Sequence, residues 1–334
     1  MSLLSISNVF IRGIAAAVPK QRDCIKEVYK WGSVEDFLKT TGIVFRRRAP
    51  ETVTASDLCV SAARNLLNEL HWNNEDIDIL VFVSQTPDYL LPATSCVIHE
   101  NLNLSKECYT LDISLGCSGW VYALSVIAAL MQNGTFKKGL LLAGDTITKI
   151  CSPDDKTVYP LFGDAGSATA LEFDVGDSMF KFHFNSDGSG NETIIARGGG
   201  FREKQYTIPR LELDGGEVFS FGAFKAPKQV KALIEEFQLD IDKIDLFTFH
   251  QANFMMNEMI RKKLKLPDDM VPYSMGEFGN TSCASIPLTL TYCERNRLRK
   301  SKLQHIACGF GVGLSWASVW FETDKITVPK LIEV

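Results

Sequence analysis

The sequence contains no Cys-x-x-Cys pair, no large excess of either charge, no basic segment leading into an apolar core at its N-terminus, and no long uncharged apolar run. Each absence removes a class of function. The nine cysteines, odd in number and without paired spacing, suggest neither a zinc ribbon nor a disulfide framework. Several lie in apolar runs, where a thiol behaves as a small hydrophobe. Lys plus Arg number 35 and Asp plus Glu 40, a net charge of −5. So mild an acidity provides no grip on nucleic acid or on an anionic membrane. The opening MSLLSISNVFIRG is a poor secretory signal, and the longest apolar candidate, residues 120–131, falls short of the roughly 20 residues that span a bilayer. A cytoplasmic protein in a reducing compartment is expected. What is present is an ordinary globular composition: 334 residues, 46% hydrophobic and 22% charged, enough for one large domain or two packed ones.

Self-similarity is the first positive signal. Residues 64–85 (RNLLNELHWNNEDIDILVFVSQ) and 232–251 (ALIEEFQLDIDKIDLFTFHQ) each read as an amphipathic helix, an acidic linker, an Ile-Asp pair and an apolar strand. Ile77-Asp78 and Ile244-Asp245 stand 167 residues apart, half the chain. The same offset carries strand 139–145 onto 306–312, pairing Gly144 with Gly311. It also carries the start of the helix after Cys117 onto the start of the helix after Asn280. Any α/β protein repeats strand and helix at some spacing, but three matches at one offset predict two homologous α/β halves, 1–174 and 175–334. Their nearly continuous apolar strands predict sheets covered by helices on both faces. Residues 146–166 separate two strands of the first half and have no counterpart in the second. A loop of that length is a candidate wall of a site.

Three polar residues stand where chemistry can happen. Cys117 lies between a strand at 109–115 and a helix at 118–132, with Gly116 permitting a tight turn. At a helix N-terminus the dipole favours thiolate, so Cys117 reads either as an activated nucleophile or as one more core cysteine. His250 closes the apolar strand at 246–249, at the carboxyl end where α/β sites open. It is either a functional imidazole or a hydrogen-bonded core histidine. Asn280, in a Gly-Asn turn before a helix, either caps that helix or donates to an anionic intermediate. The glycines at 309, 311 and 313 lack the following helix of a dinucleotide-binding loop and instead predict a tight hairpin presenting backbone N–H groups.

Set in duplicated α/β halves, these residues resemble the thiolase-fold condensing enzymes, and among them the β-ketoacyl-acyl-carrier-protein synthase III family. The resemblance rests on Thr41-Gly-Ile43, Gly116-Cys117-Ser-Gly119, Phe162-Gly-Asp-Ala-Gly166, His250-Gln-Ala-Asn253, Gly279-Asn280-Thr-Ser282, Ala284-Ser-Ile-Pro287 and Gly311-Val-Gly-Leu-Ser-Trp316, in family order over nearly the whole chain. It implies a five-layered αβαβα fold and a homodimer. It implies that Cys117 takes an acyl group from a coenzyme A thioester, with the N–H groups of Cys117 and Val312 as its oxyanion hole. His250 and Asn280 would then stabilise the enolate left when a malonyl-carrier-protein thioester loses carbon dioxide. A thioester carbonyl suits a soft nucleophile and an enolate needs donors, so neither a metal nor a redox cofactor is expected. Phe37, Lys156, Phe162 and Phe310 fall at substrate-binding positions of the family, and Leu91 at the place where a partner subunit lines the acyl pocket.

The departures concern delivery. Phe37 and Thr40 stand near the family's adenine-clamping tryptophan and arginine, Met255 replaces its carrier-docking arginine, and Lys156 replaces a further arginine. Lysine is a point charge and lacks the planar fork that grips phosphate. Arg46–Arg48 and Arg261-Lys262-Lys263 are candidates to compensate, or solvated charge runs. These differences suggest a specialised pathway beside housekeeping fatty acid and lipid synthesis. The alternative to condensation is acyl transfer from Cys117 to an alcohol or amine without decarboxylation.

Overall fold

Runs such as Leu80-Val-Phe-Val83 and Leu140-Leu-Leu-Ala143 have no polar face, and in the computed structural model they are strands buried on both sides. The structure describes residues 2–177, 179–202 and 209–334. Two sheets carry the fold. One runs Ile332–Glu333, Val9–Val18, Ala165–Phe173, Lys138–Asp145, Ile79–Val83, Tyr109–Ile113. The other runs Ser2–Ser7, Met179–Ser186, Ser315–Asp324, Lys302–Gly311, Leu246–Phe249.

The duplication read from the sequence is visible strand by strand. Val9–Val18, Ala165–Phe173, Lys138–Asp145 and Ile79–Val83 correspond, in order and direction, to Met179–Ser186, Ser315–Asp324, Lys302–Gly311 and Leu246–Phe249. The repeated Ile-Asp pair has a physical reason. Asp78 donates its N–H to the Lys138 carbonyl at 2.9 Å, and its carboxylate accepts the N–H groups of Lys137 and Lys138 at 2.5 and 3.0 Å. Asp245 does the same for Gln304, with bonds of 2.9 and 2.7 Å. In each half the aspartate starts the parallel pairing of the central strand.

The division at residue 174 needs one correction. Ser2–Ser7 pairs with Met179–Ser186 in the sheet of the second half, and Ile332–Glu333 pairs with Val9–Val18 in the sheet of the first. The boundary separates the repeats but not the sheets.

Helices Gly119–Met131 and Ser285–Cys293 lie between the sheets. The first is apolar nearly all round because it is packed between the sheets with no fully exposed residue, and its Trp120 is fully buried with the indole N–H on Thr169 Oγ1 at 3.1 Å. Ala55–Leu70 covers the outside of one sheet, and Gly215–Glu236 with Phe254–Leu264 the outside of the other. The result is the αβαβα stack, with both inner helices starting at the same level. No helix among the described residues is long and apolar enough to cross a membrane.

Candidate active site

The site is built where the two inner helices begin. The strand Tyr109–Ile113 ends two residues earlier than the sequence suggests, and a turn through Gly116 delivers Cys117 to the start of Gly119–Met131. Gly116 is required by space and not by a left-handed backbone: a Cβ there would stand 2.3 Å from Gln85 Oε1. From the opposite half, the hairpin between Lys302–Gly311 and Ser315–Asp324 comes up against the sulfur. A Cβ on Gly311 would lie 2.8 Å from Cys117 Sγ, and one on Gly309 2.7 Å from Ser118 Cα. The expected glycine hairpin is present, and its glycines are what let the halves touch at the nucleophile.

His250 follows the strand Leu246–Phe249, and its backbone is locked by its own motif. His250 N–H donates to the Cys308 carbonyl at 2.9 Å, and Asn257 Nδ2 to the His250 carbonyl at 3.1 Å. Gln251 Oε1 accepts the Ser274 N–H, and Asn253 Oδ1 caps the helix Phe254–Leu264 through the Met256 N–H. His250 Nδ1 stands 2.7 Å from Ser285 Oγ, the first residue of the inner helix Ser285–Cys293. Asn280 follows Gly279, whose φ of 72° needs glycine. The Asn280 backbone is laced to the long loop by bonds to Leu161 and Gly163, each 3.0 Å. Its Oδ1 accepts the Ser282 N–H at 3.0 Å. Asn280 does not cap the helix Ser285–Cys293, which has no side-chain cap: its oxygen closes a local turn, and the amide nitrogen is left for the site.

Cys117, His250 and Asn280 line one cavity of ≈ 260 Å³. Phe37, Thr41, Ala252, Asn253 and Met256 line it as well, together with the apolar Ile147, Phe162, Ile194, Leu211, Phe310 and Val312. The 146–166 loop forms part of that wall, as expected. It is held by Asp164, whose buried carboxyl accepts the N–H groups of Ala49 and Thr148 and the Thr148 hydroxyl at 2.6–2.9 Å. Burial raises the Asp164 pKa to about 6.

One expectation is corrected. The helix N-terminus does not leave a thiolate. Burial, with the Asp145 carboxylate behind the sulfur, pushes the Cys117 thiol up to about 12, against the N–H groups of Cys117 and Val312 and the Ser282 hydroxyl, which pull it down. Desolvation wins because the residue is only 8% exposed. Lys156 is exposed, where a contact to an incoming substrate would have to be made, and Thr157 beside it lines the cavity. Leu91 is 82% exposed and lies outside the cavity of its own chain. Burial also pushes His250 down to about 3, with a backbone hydrogen bond to Ser282 working the other way, so the imidazole is neutral.

The candidate compensating charges sort out clearly. Arg46 is fully buried on Asp23 and the Tyr159 carbonyl, Arg47 holds Glu333, and Arg48 holds Asp23. Arg261 is tied to Glu258 and Asp268. Sequence reasoning assigned no role to Ser285, Ser282 or Gln85. Ser282 and Ser285 lie within the quoted motifs Gly279–Ser282 and Ala284–Pro287, which signal the segment but not the role, whereas Gln85 meets the site only through distant segments. Among the described residues no group of His, Cys, Asp or Glu is arranged to hold a metal ion.

Comparison with known proteins agrees with this geometry. The family models for 3-oxoacyl-[acyl-carrier-protein] synthase III and for its C-terminal part match residues 111–188 and 234–323. A 3-oxoacyl-(acyl-carrier protein) synthase from Burkholderia xenovorans LB400 superposes with a TM-score of 0.95 at 40% identity, covering 100% of this chain and 99% of that one. The β-ketoacyl-[acyl-carrier-protein] synthase III of Trichodesmium erythraeum is 31% identical over 94% of this chain and 98% of its own. The priming β-ketosynthase of the R1128 polyketide pathway superposes with a TM-score of 0.85 at 25% identity, covering 96% and 98%. Fold and site together define a thiolase-fold condensing enzyme. Within that class, the chain belongs to the 3-oxoacyl-[acyl-carrier-protein] synthase III family.

The raised thiol has a measurable consequence. Sulfur reacts as thiolate, and the thiolate fraction of a group titrating near 12 grows tenfold per pH unit throughout the neutral range. Alkylation of Cys117 by iodoacetamide, followed by peptide mass spectrometry, should therefore rise with unit slope in log rate from pH 6 to 9. A plateau near pH 7 would show a thiolate already formed at rest.

Proposed function

We propose that this protein catalyses decarboxylative Claisen condensation of an acyl-coenzyme A primer with a malonyl-carrier-protein thioester. The observation that carries the reading is the convergence of a cysteine, a neutral imidazole and a side-chain amide on one largely apolar cavity. In the first step Cys117 sulfur attacks the primer carbonyl, and the N–H groups of Cys117 and Val312 stabilise the oxyanion. The carbonyl carbon gains its bond to Cys117 and loses its bond to coenzyme A, whose sulfur leaves with the proton given up by the thiol. In the second step the malonyl group loses carbon dioxide, and the electron pair of the broken carbon–carbon bond becomes an enolate. His250 and Asn280 Nδ2 donate to the enolate oxygen. For His250 this requires the tautomer in which the Ser285 hydroxyl donates to Nδ1 and Nε2 carries the hydrogen. The enolate carbon attacks the acyl-cysteine carbonyl, the bond to Cys117 breaks, and the departing thiolate takes a proton from solvent.

A neutral imidazole suits this role. It donates without competing as a base, and a simple acyl transfer to an alcohol or amine leaves the Asn280 amide without a task. The apolar inner wall favours a hydrocarbon primer with no polar substituent.

For the carrier protein, the supporting surface is a groove beside the cavity mouth lined by Lys39, Phe254, Met255, Glu258, Lys262 and Lys263. Its lysines supply positive charge for an acidic partner where the family arginine is replaced by Met255. For a twofold dimer, the support is the exposed apolar run Tyr89, Leu90 and Leu91, 62%, 72% and 82% exposed, on a loop next to a second cavity of ≈ 740 Å³. In that arrangement Leu91 reaches the acyl pocket of the partner.

Three measurements test these readings. Asn280→Ala should still form acyl-enzyme at near wild-type rate while malonyl-dependent product falls by about 10²–10³. Equal loss of both steps would contradict the division of labour. Lys39→Glu with Lys262→Glu should raise KM for the malonyl-carrier substrate roughly tenfold and leave acylation by acyl-coenzyme A unchanged. An unchanged carrier KM would remove the groove from the docking surface. Sedimentation velocity should give twice the chain mass, reduced toward one chain mass by Leu90→Asp with Leu91→Asp. A monomeric wild type would refute the dimer.

A further inference from the structure

Ser118 is the N-cap of the helix that carries the nucleophile, yet its side chain makes no capping bond. Serine is favoured at that place because its oxygen accepts an N–H of the first turn. Here the hydroxyl lies 2.7 Å from Ser315 Oγ, in the other half of the fold. Ser315 Oγ lies in turn 2.8 Å from the carbonyl oxygen of Val312. The two serines are only 1% and 5% exposed. Chemistry fixes the direction of the chain. A carbonyl only accepts, so Ser315 gives its single hydrogen to Val312, and Ser118 must donate to Ser315.

The geometry points to a latch in which Ser118 and Ser315 are positioning residues: they hold Val312, and the N–H it presents to the reacting carbonyl, in register with the Cys117 sulfur. The latch rests on the oxyanion-hole role proposed above. Val312 is fixed on one side by the ladder pairing of Gly311 with Ser315, and on its carbonyl side by the Ser315 hydroxyl. The bare edges of Gly309 and Gly311 bring the hairpin close enough for the bond to form. Losing the Ser315 hydroxyl frees the Val312 carbonyl to rotate and leaves Ser118 to turn back onto its own helix, where it would occupy a first-turn N–H beside the sulfur. Neither change removes a side chain from the cavity wall, so the loss falls more on the rate of acylation than on primer binding.

The test measures single-turnover acylation of Cys117 by acetyl- and butyryl-coenzyme A, read by mass spectrometry, in Ser315→Ala, Ser118→Ala, the double variant and Ser315→Thr. Thermal unfolding is followed on the same samples. The saturating rate should fall about tenfold or more in each alanine variant, short of the roughly 10²–10³ that losing a whole donor costs. Half-saturating concentration should stay within about twofold. The double variant should be no slower than the worse single variant, because both break one chain. Ser315→Thr, which keeps the hydroxyl, should recover the rate. If Ser315→Ala does not fold, Ser118→Ala breaks the same chain from its other end. Alanine variants that acylate within about twofold of wild type, or losses that multiply in the double variant, overturn the latch alone. A wild type that takes no acyl group overturns the proposed activity and the latch with it.

Discussion

Where the strand Lys302–Gly311 passes the start of the helix Gly119–Met131, the two backbones meet with no side chain between them. Any Cβ at Gly309 or Gly311 would fall within 2.8 Å of Ser118 Cα, the Cys117 carbonyl oxygen or the Cys117 sulfur. The site depends on that approach. It sets the Val312 N–H beside the nucleophile and forms one end of the cavity. It also brings His250, just past the end of the adjacent strand, into the same cavity as the sulfur. Interiors are close-packed, so a gain of one methyl group at such a contact has nowhere to go except into the position of the nucleophile.

Burial then decides the charge state of everything in the chamber. The thiol is held protonated, the imidazole neutral, and the third polar group is an amide. At rest the catalytic groups carry no formal charge. Negative charge arises only as the reaction proceeds, first on the primer carbonyl and then on the enolate, and is met there by N–H dipoles already in place. Fixed dipoles need little reorganisation, which is why such a site works without a strong base.

Much of this was legible in the sequence, for identifiable reasons. The duplication showed because Asp78 and Asp245 each do a job no other residue type does, so the Ile-Asp pair recurs at the same offset as the glycines. Cys117 and His250 showed because each follows an apolar strand, and Asn280 because it stands in a Gly-Asn turn before a helix. What stayed hidden depends on neighbours far along the chain. Arg46 looked like part of a solvated charge run and is instead fully buried on Asp23. The thiol looked activated by its helix, but the loss of water and the carboxylate of Asp145, on a distant strand, outweigh the N–H groups of Cys117 and Val312. Ser118 carried no signal of its own, and its partner lies 197 residues away.

The exchange of terminal strands between the sheets bears on how the molecule comes together during synthesis. Ser2–Ser7 has no place in the sheet of its own half and must wait for residues 179–186 before it can pair. The Val9–Val18 edge is completed only when residues 332–333 have emerged. An N-terminal half alone would therefore present one unpaired strand and one open edge, the features most prone to join a neighbouring chain. Its duplicated partner has the same strand order and direction, and is the surface best suited to pair wrongly with it. The crossed ends thus tie the two repeats into a single cooperative unit, at the cost of making assembly wait for nearly the whole chain.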